Sequence, residues 1–170
     1  MGAKIRGMTL AIRHATIEDL AAINAIYNHY VDVSTCTWQY AHTTADERRA
    51  WFEDRPATHP VIVAERAGAV VGYGSLGPFR PREGYRFTVE NSVYVHPEAQ
   101  RLGIGGALLA DLLERARQLQ LKTVMAGISA EQAGSVALHA RYGFVEVGRL
   151  PAVGFKHDQW LDLLLMQRKL

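Results

Sequence analysis

The chain has 170 residues, of which 48% are hydrophobic and 21% charged, with a formal net charge of +2. These values describe one globular domain over residues 1–170 with a sizeable core, and they exclude a disordered or fibrous chain. The arginines are scattered without a run of like charge, so neither nucleic acid nor a membrane is expected as a partner.

The N-terminal stretch MGAKIRGMTLAIRHA has no apolar run of signal-peptide length, and Arg6 stands where a myristoylation signal wants Ser or Thr. LAIRHA then reads as a strand. Thr16 and Asp19 have capping-box spacing ahead of a helix with Leu20, Ile23, Ile26 and Tyr30 on its apolar face. Cys36 is the only cysteine, which rules out an intrachain disulfide and suits a cytoplasmic protein. It reads as a small, half-buried side chain, since no neighbour in sequence would lower its pKa. Thr44 and Glu47 repeat the capping box before a short second helix, ERRAWFEDR.

PVIVAERAGAVVGYGSLG is a hairpin hinged at Ala67-Gly68, PFRPREGYRF a loop, and TVENSVYVHP a strand ended by Pro97. Ile104, Leu108, Leu109, Leu112, Leu113 and Ala116 recur at helical spacing. A strand (KTVMAGIS), a helix closed by Gly143 (QAGSVALHARYG) and a strand (FVEVGRL) follow. GFKHDQWLDLLLMQRKL reads as one last long strand. Strands interleaved with helices, without repeats or linkers, predict one α/β sheet covered by helices.

Gly103, Gly105 and Gly106 stand where a strand gives way to a helix, a place where backbone N–H groups and the helix dipole favour a phosphate. A P-loop needs Gly-Lys-Ser/Thr, which Gly105-Gly106-Ala107 lacks. A dinucleotide fingerprint needs a third glycine where Leu108 stands. The remaining pattern, Gln100-Arg101-Leu102-Gly103-Ile104-Gly105, resembles the pyrophosphate loop of the acetyl-CoA-dependent N-acetyltransferase (GNAT) superfamily. A second motif supports the resemblance. The superfamily's Asn-x-x-Ala/Ser-x-x-Leu-Tyr-x-x-x-Gly-Phe corresponds here to Gln132, Ser135, Leu138, His139, Gly143 and Phe144, with Gln132 and His139 as departures.

FTVENSVYVHPEAQRLGIGGALL, SVALHARYGF and VGFKHDQWLDLLLMQ together resemble the phosphinothricin and methionine sulfoximine N-acetyltransferases, from about Ile12 to Met166. The resemblance implies the GNAT fold: a mixed, mostly antiparallel sheet of about six to seven strands flanked by about four helices. It implies direct transfer of acetyl from acetyl-CoA to the amine of a small amino-acid analogue. The alternatives are a protein or peptide N-acetyltransferase and a silent acetyl-CoA-binding sensor. In related enzymes the C-terminal segment helps build a dimer, so a homodimer is expected.

The resemblance also distributes roles. Glu90 is the candidate base, because an ammonium group has no lone pair with which to attack, and flanking Val89 and Val93 would raise its pKa. His139 stands where other relatives place the tyrosine that protonates the leaving thiolate, so it is expected to act as acid or base, with a satisfied core histidine as the structural reading. Val93, Tyr94 and Val95 would pair with the pantetheine arm as an added strand does. The N–H groups from Arg101 through Leu102, Gly103, Ile104 and Gly105 to Gly106 would hold the pyrophosphate, with Gln132 and Ser135 alongside. Arg80, Pro81 and Arg82, with Glu90, Asn91 and Ser92, would hold the substrate, since guanidinium groups suit a carboxylate. Trp38 and Tyr85 are candidate pocket walls. The histidines show no metal-ligand spacing, so no metal is expected.

Overall fold

The computed structural model describes residues 10–170; the expectations for Arg6 and the first nine residues lie outside them. In chain order the elements are β1 (Leu10–His14), α1 (Leu20–Val33), α2 (Ala45–Glu53), β2 (Val61–Arg66), β3 (Ala69–Pro78) and β4 (Thr88–Val95). α3 (Ile104–Gln118), β5 (Thr123–Ser129), α4 (Ala133–Arg141), β6 (Val145–Lys156) and β7 (Gln159–Lys169) follow. Both capping boxes form: Thr16 N–H donates to Asp19 at 2.8 Å, and Thr44 N–H to Glu47 at 2.8 Å. The first turn after Thr16 is a 3-10 turn, Ile17–Asp19, before α1 proper begins.

The strands form one sheet in the order β1-β2-β3-β4-β5-β7-β6. Every neighbouring pair is antiparallel except β4 and β5. Seven strands and four α-helices agree with the expected mixed sheet. Side chains alternate across each strand, so the sheet divides the core in two. Ile23 and Ile26 of α1 pack with Val61, Val63 and Tyr73 on one face, and α2 adds Trp51 and Phe52. On the other face α3 buries Leu108, Leu109, Leu112 and Leu113 against Ile62, Ala64 and Val124. Gly72 and Gly74 let α3 come close to β3, because an added Cβ would meet Leu108 Cδ1 at 3.2 Å or Leu112 Cδ1 at 3.0 Å.

One expected element is corrected. Residues 154–170 do not form a single strand: Gly154–Lys156 close β6, and β7 starts at Gln159. The two residues between them, His157 (φ 50°) and Asp158 (φ 58°), are both left-handed, the geometry of a tight hairpin turn. Neither is the glycine or asparagine that usually marks such a turn. β6 also bulges between Leu150 and Gly154, which removes Pro151 from regular pairing.

The feature that places the site is the short parallel contact. β4 and β5 pair only at Thr88–Thr123, Val89–Val124 and Glu90–Met125. Beyond Glu90 the two strands separate, and β4 runs on to Val95 with an unpaired edge.

Candidate active site

The two strands part at Glu90, whose side chain projects toward β5. An added Cβ at Gly127 would lie 2.7 Å from Glu90 Oε1, so the carboxylate rests directly over that glycine. Burial raises its pKa above the ordinary carboxylate range, opposed by the Gly127 N–H and the Arg80 charge. The opening itself is a cavity lined by Asn91–Tyr94 of β4, Ala126–Ser129 of β5, Cys36, Gln132, Ser135 and His139. Of the three residues expected to pair with a pantetheine arm, Val95 has its carbonyl engaged, since Tyr30 Oη donates to it at 2.6 Å.

At the far end of β4 the glycine turn has two left-handed residues, Arg101 (φ 61°) and Gly103 (φ 79°). Alternating backbone handedness of this kind turns successive N–H groups to one side, as an anion-binding nest does. The α3 ladder starts only with Ala107 N–H, which donates to Gly103 O at 3.0 Å, so the preceding N–H groups are left to a ligand. The glycines differ in role. Gly103 supplies the positive φ, and a Cβ there would meet nothing within 4 Å. Gly105 faces Val93, Val95 and Leu138, along the seam beside the open edge. Gly106 makes room for Tyr142, whose hydroxyl would lie 2.8 Å from a Cβ, so its absent side chain serves packing. Ile104 is buried at the helix start, and Leu102 is exposed in the turn. An open strand edge running into a nest of free donors fits a pantetheine arm ending in a pyrophosphate.

Asn91, expected among the substrate's donors, lines the opening with its amide engaged by two protein partners. Neighbouring residues of a strand face opposite ways, so Asn91 turns from the Glu90–Ser92 face toward α4. It is buried, donating to Met125 O at 2.9 Å and meeting His139 Nε2 at 3.0 Å with Oδ1. His139 Nδ1 donates to Ser135 O at 2.8 Å. Both ring nitrogens therefore face acceptors, and a proton on each would satisfy both, while burial pushes the pKa down. Ser135 Oγ is 3.5 Å from the same Nδ1. Gln132, expected to replace an asparagine at the cofactor, donates to Thr35 Oγ1 at 2.8 Å and ties α4 to the loop after α1.

Arg80, Pro81 and Arg82 are exposed in the loop after β3, and Ser92 is an exposed residue lining the opening. Arg80 is the one whose charge reaches Glu90, and its guanidinium stacks on Phe79 with Cζ 5.2 Å from the ring centroid. Tyr85 also packs on Phe79. Trp38 lies against Gly154 of β6, where a Cβ would come within 2.5 Å of the ring. Among the described residues no group of three or more His, Cys, Asp and Glu side chains is placed to hold a metal ion.

Residues 23–144 match the model of the Acetyltransferase (GNAT) family. The chain belongs to the GNAT acetyltransferases. It is 43% identical over 162 residues to the L-methionine sulfoximine/L-methionine sulfone acetyltransferase of Salmonella typhimurium, covering 95% of each chain. A phosphinothricin acetyltransferase from Sinorhizobium meliloti, solved with AcCoA, superposes with a TM-score of 0.92 at 39% identity, over 96% of this chain and 89% of that one. A ribosomal-protein-alanine N-acetyltransferase from Brucella melitensis gives the same TM-score of 0.92 at 49% identity, over 94% and 99%.

Three features of this acetyltransferase's site escaped the sequence. Gly127 gives Glu90 its resting place, but nothing near it in sequence shows what lies across the strand gap. Lys156, buried on β6, donates to Ser34 O at 2.7 Å and Thr37 O at 2.8 Å, holding the loop that brings Cys36 to the opening. Trp38 Nε1 fastens the same loop to Ser129 Oγ at 3.3 Å. The signal available beforehand was a lone lysine near the end of β6, which a buried ammonium held by two carbonyls explains.

Proposed function

We propose that the enzyme acetylates the α-amine of a small amino-acid analogue of the methionine sulfoximine, methionine sulfone or phosphinothricin type, with acetyl-CoA as co-substrate and by direct attack. The observation that carries this reading is Glu90: a half-buried carboxylate at the point where β4 and β5 part, with Arg80 beside it. Bound acetyl-CoA supplies an acetyl group activated by a thiolate leaving group. Glu90 takes the ammonium proton, directly or through water, and its raised pKa suits that exchange. The backbone N–H groups of the open β4 edge near Tyr94 face the acetyl oxygen and steady its developing charge. The exposed Arg80 holds the substrate's α-carboxylate.

The contacts of His139 support a positioning role, since both ring nitrogens are occupied; through Asn91 it fixes the edge that the co-substrate joins. The reading includes a cytoplasmic homodimer. Val145, Val147, Leu150, Val153, Phe155 and Trp160 leave an exposed apolar strip on the β6–β7 hairpin, with β6 at the sheet edge, which favours burial by a second copy. No helix among the described residues is long and apolar enough to cross a membrane.

A thiol-release assay with methionine, its sulfone, its sulfoximine, phosphinothricin and an alanine-ended peptide tests the substrate class. The oxidised and phosphinic analogues are expected to react fastest. A preference for the peptide would overturn the reading in favour of the class named for the Brucella relative.

A further inference from the structure

One buried and one half-buried guanidinium group lie beside one another with no carboxylate paired to either among the described residues. Arg48 of α2 is 5% exposed, and its Cζ lies 4.8 Å from the Tyr27 ring and 4.7 Å from the Trp51 ring. Arg55 stacks on the same Trp51 at 4.5 Å. Burial, with the Arg48 charge second, holds Arg55 down to about 10. Arg55 directs its donors to carbonyls, His59 O at 3.0 Å and Leu76 O. Arg48 directs only Nε to a partner, Asn24 Oδ1 at 3.1 Å. Among the described residues neither arginine pairs with a carboxylate, and the two terminal nitrogens of Arg48 have no hydrogen-bond partner. No buried side-chain nitrogen or oxygen among the described residues is left without a partner, so the terminal nitrogens of Arg48 open onto the adjoining cavity, and a largely buried cation with free donors there favours an oxygen-rich group.

Arg48 faces such a cavity, of about 270 Å³. Its walls are Tyr27, Trp51, Tyr73 and Tyr94, with Ser75 and Ser92 contributing hydroxyls. Tyr73, 2% exposed, turns its ring to the same cavity. The cavity adjoins the opening between β4 and β5, because Ser92 and Tyr94 line both. Ser92 is two residues from Glu90 on the same strand face, about 7 Å along β4. An α-amine at Glu90 keeps its own carboxylate at the outer, Arg80 side and directs an extended side chain past Ser92 into the cavity.

We propose that this cavity is the acceptor's side-chain pocket and that Arg48 is its specificity-determining residue, meeting the oxygens of a sulfone, sulfoximine or phosphinate. This rests on the amino-acid reading above and assigns the far end of the substrate. A guanidinium presents a planar fork that matches two oxygens on one tetrahedral centre. The aromatic walls take the methylene stem and the terminal methyl group. Methionine's thioether offers the fork almost nothing, so the buried cation would stay unmet, which is a strong basis for rejection.

The test compares kcat/KM for methionine sulfone and methionine in the wild type, Arg48→Met and Arg48→Lys. The ratio of two substrates on one preparation is independent of how much of it is folded, so a destabilised variant still reports. Arg48→Lys keeps the cation over Trp51 and serves if Arg48→Met does not fold. The expected result is a sulfone-to-methionine ratio lowered at least about tenfold in either variant, mainly through KM for the sulfone, with acetyl-CoA affinity unchanged. A ratio within about twofold of the wild type overturns the assignment while leaving the amino-acid reading standing. A wild-type enzyme that turns over neither amino acid overturns both.

Discussion

A half-buried carboxylate binds its proton more tightly than an exposed one, because the ionised form has given up water. Glu90 is in that position, with its pKa raised mainly by burial. The folded chain therefore holds this proton to higher pH than the unfolded chain. Stability falls as pH rises from the ordinary carboxylate value to the raised one, and the full cost is present above it. Glu90→Gln should accordingly raise Tm at neutral pH, with the gain shrinking as pH falls toward the ordinary carboxylate range. The same variant should lose about 10²–10⁴-fold in kcat with little change in acetyl-CoA affinity. Full activity would remove Glu90 from the mechanism, and an unchanged or lower Tm at neutral pH would contradict its burial cost. Gly127→Ala tests the neighbour that sequence did not reveal. A Cβ 2.7 Å from Glu90 Oε1 must displace the carboxylate, so kcat should fall at least about tenfold while acetyl-CoA still binds. Wild-type kcat in that variant would show that the carboxylate's position over Gly127 is unimportant. At this scale Glu90 was singled out through the family resemblance of TVE, since by composition alone it reads as a solvated strand-end carboxylate. The pairing of Asn91 with Met125 and His139 was not legible, although strand alternation already set it on the face opposite Glu90 and Ser92.

The turn before α3 shows how one run of glycines serves several ends. Gly105 lies on the seam between β4 and α4, 3.7 Å from Val95 and 3.4 Å from Leu138 by its virtual Cβ, which are ordinary contact distances. A single Cβ fits there, but the methyl groups of valine would fill the seam. Gly105→Val should therefore melt near the wild type and lose acetyl-CoA binding by calorimetry; unimpaired binding would make the turn a purely structural one. Elements with a local cause were readable: two capping boxes, the Ala67-Gly68 hairpin and the heptad-like stripe of α3. The last hairpin was not, because His157 and Asp158 adopt left-handed backbone without the glycine that announces it. The pairing of β6 with β7 and the bonds of Lys156 to Ser34 and Thr37 hold that turn, and both are tertiary facts.

For the whole molecule, the apolar strip on the β6–β7 hairpin sets the expected state in solution. Light scattering at micromolar concentration should give the mass of two chains; a monomer mass would refute the dimer. Trp160→Glu, at a side chain 69% exposed, should shift the equilibrium toward monomer without lowering the monomer's own stability. The mixed, mostly antiparallel sheet with its helices was legible as a family property once the motifs were recognised, but the separation of β4 from β5 has no signature in either strand, since each reads as ordinary alternation.

That separation gives the sheet a second kind of edge, one that lies between strands rather than at its margin. The two half-sheets are joined by only three register pairs, so the backbone beyond Glu90 behaves as a vacant berth for a strand-like ligand. Its amides should exchange with deuterium quickly in the free enzyme and slow on addition of coenzyme A, with Ser92–Val95 changing more than the paired residues of β3. The co-substrate would then act on the scaffold as well as in the reaction, bridging the halves and making the loaded enzyme stiffer than the free one.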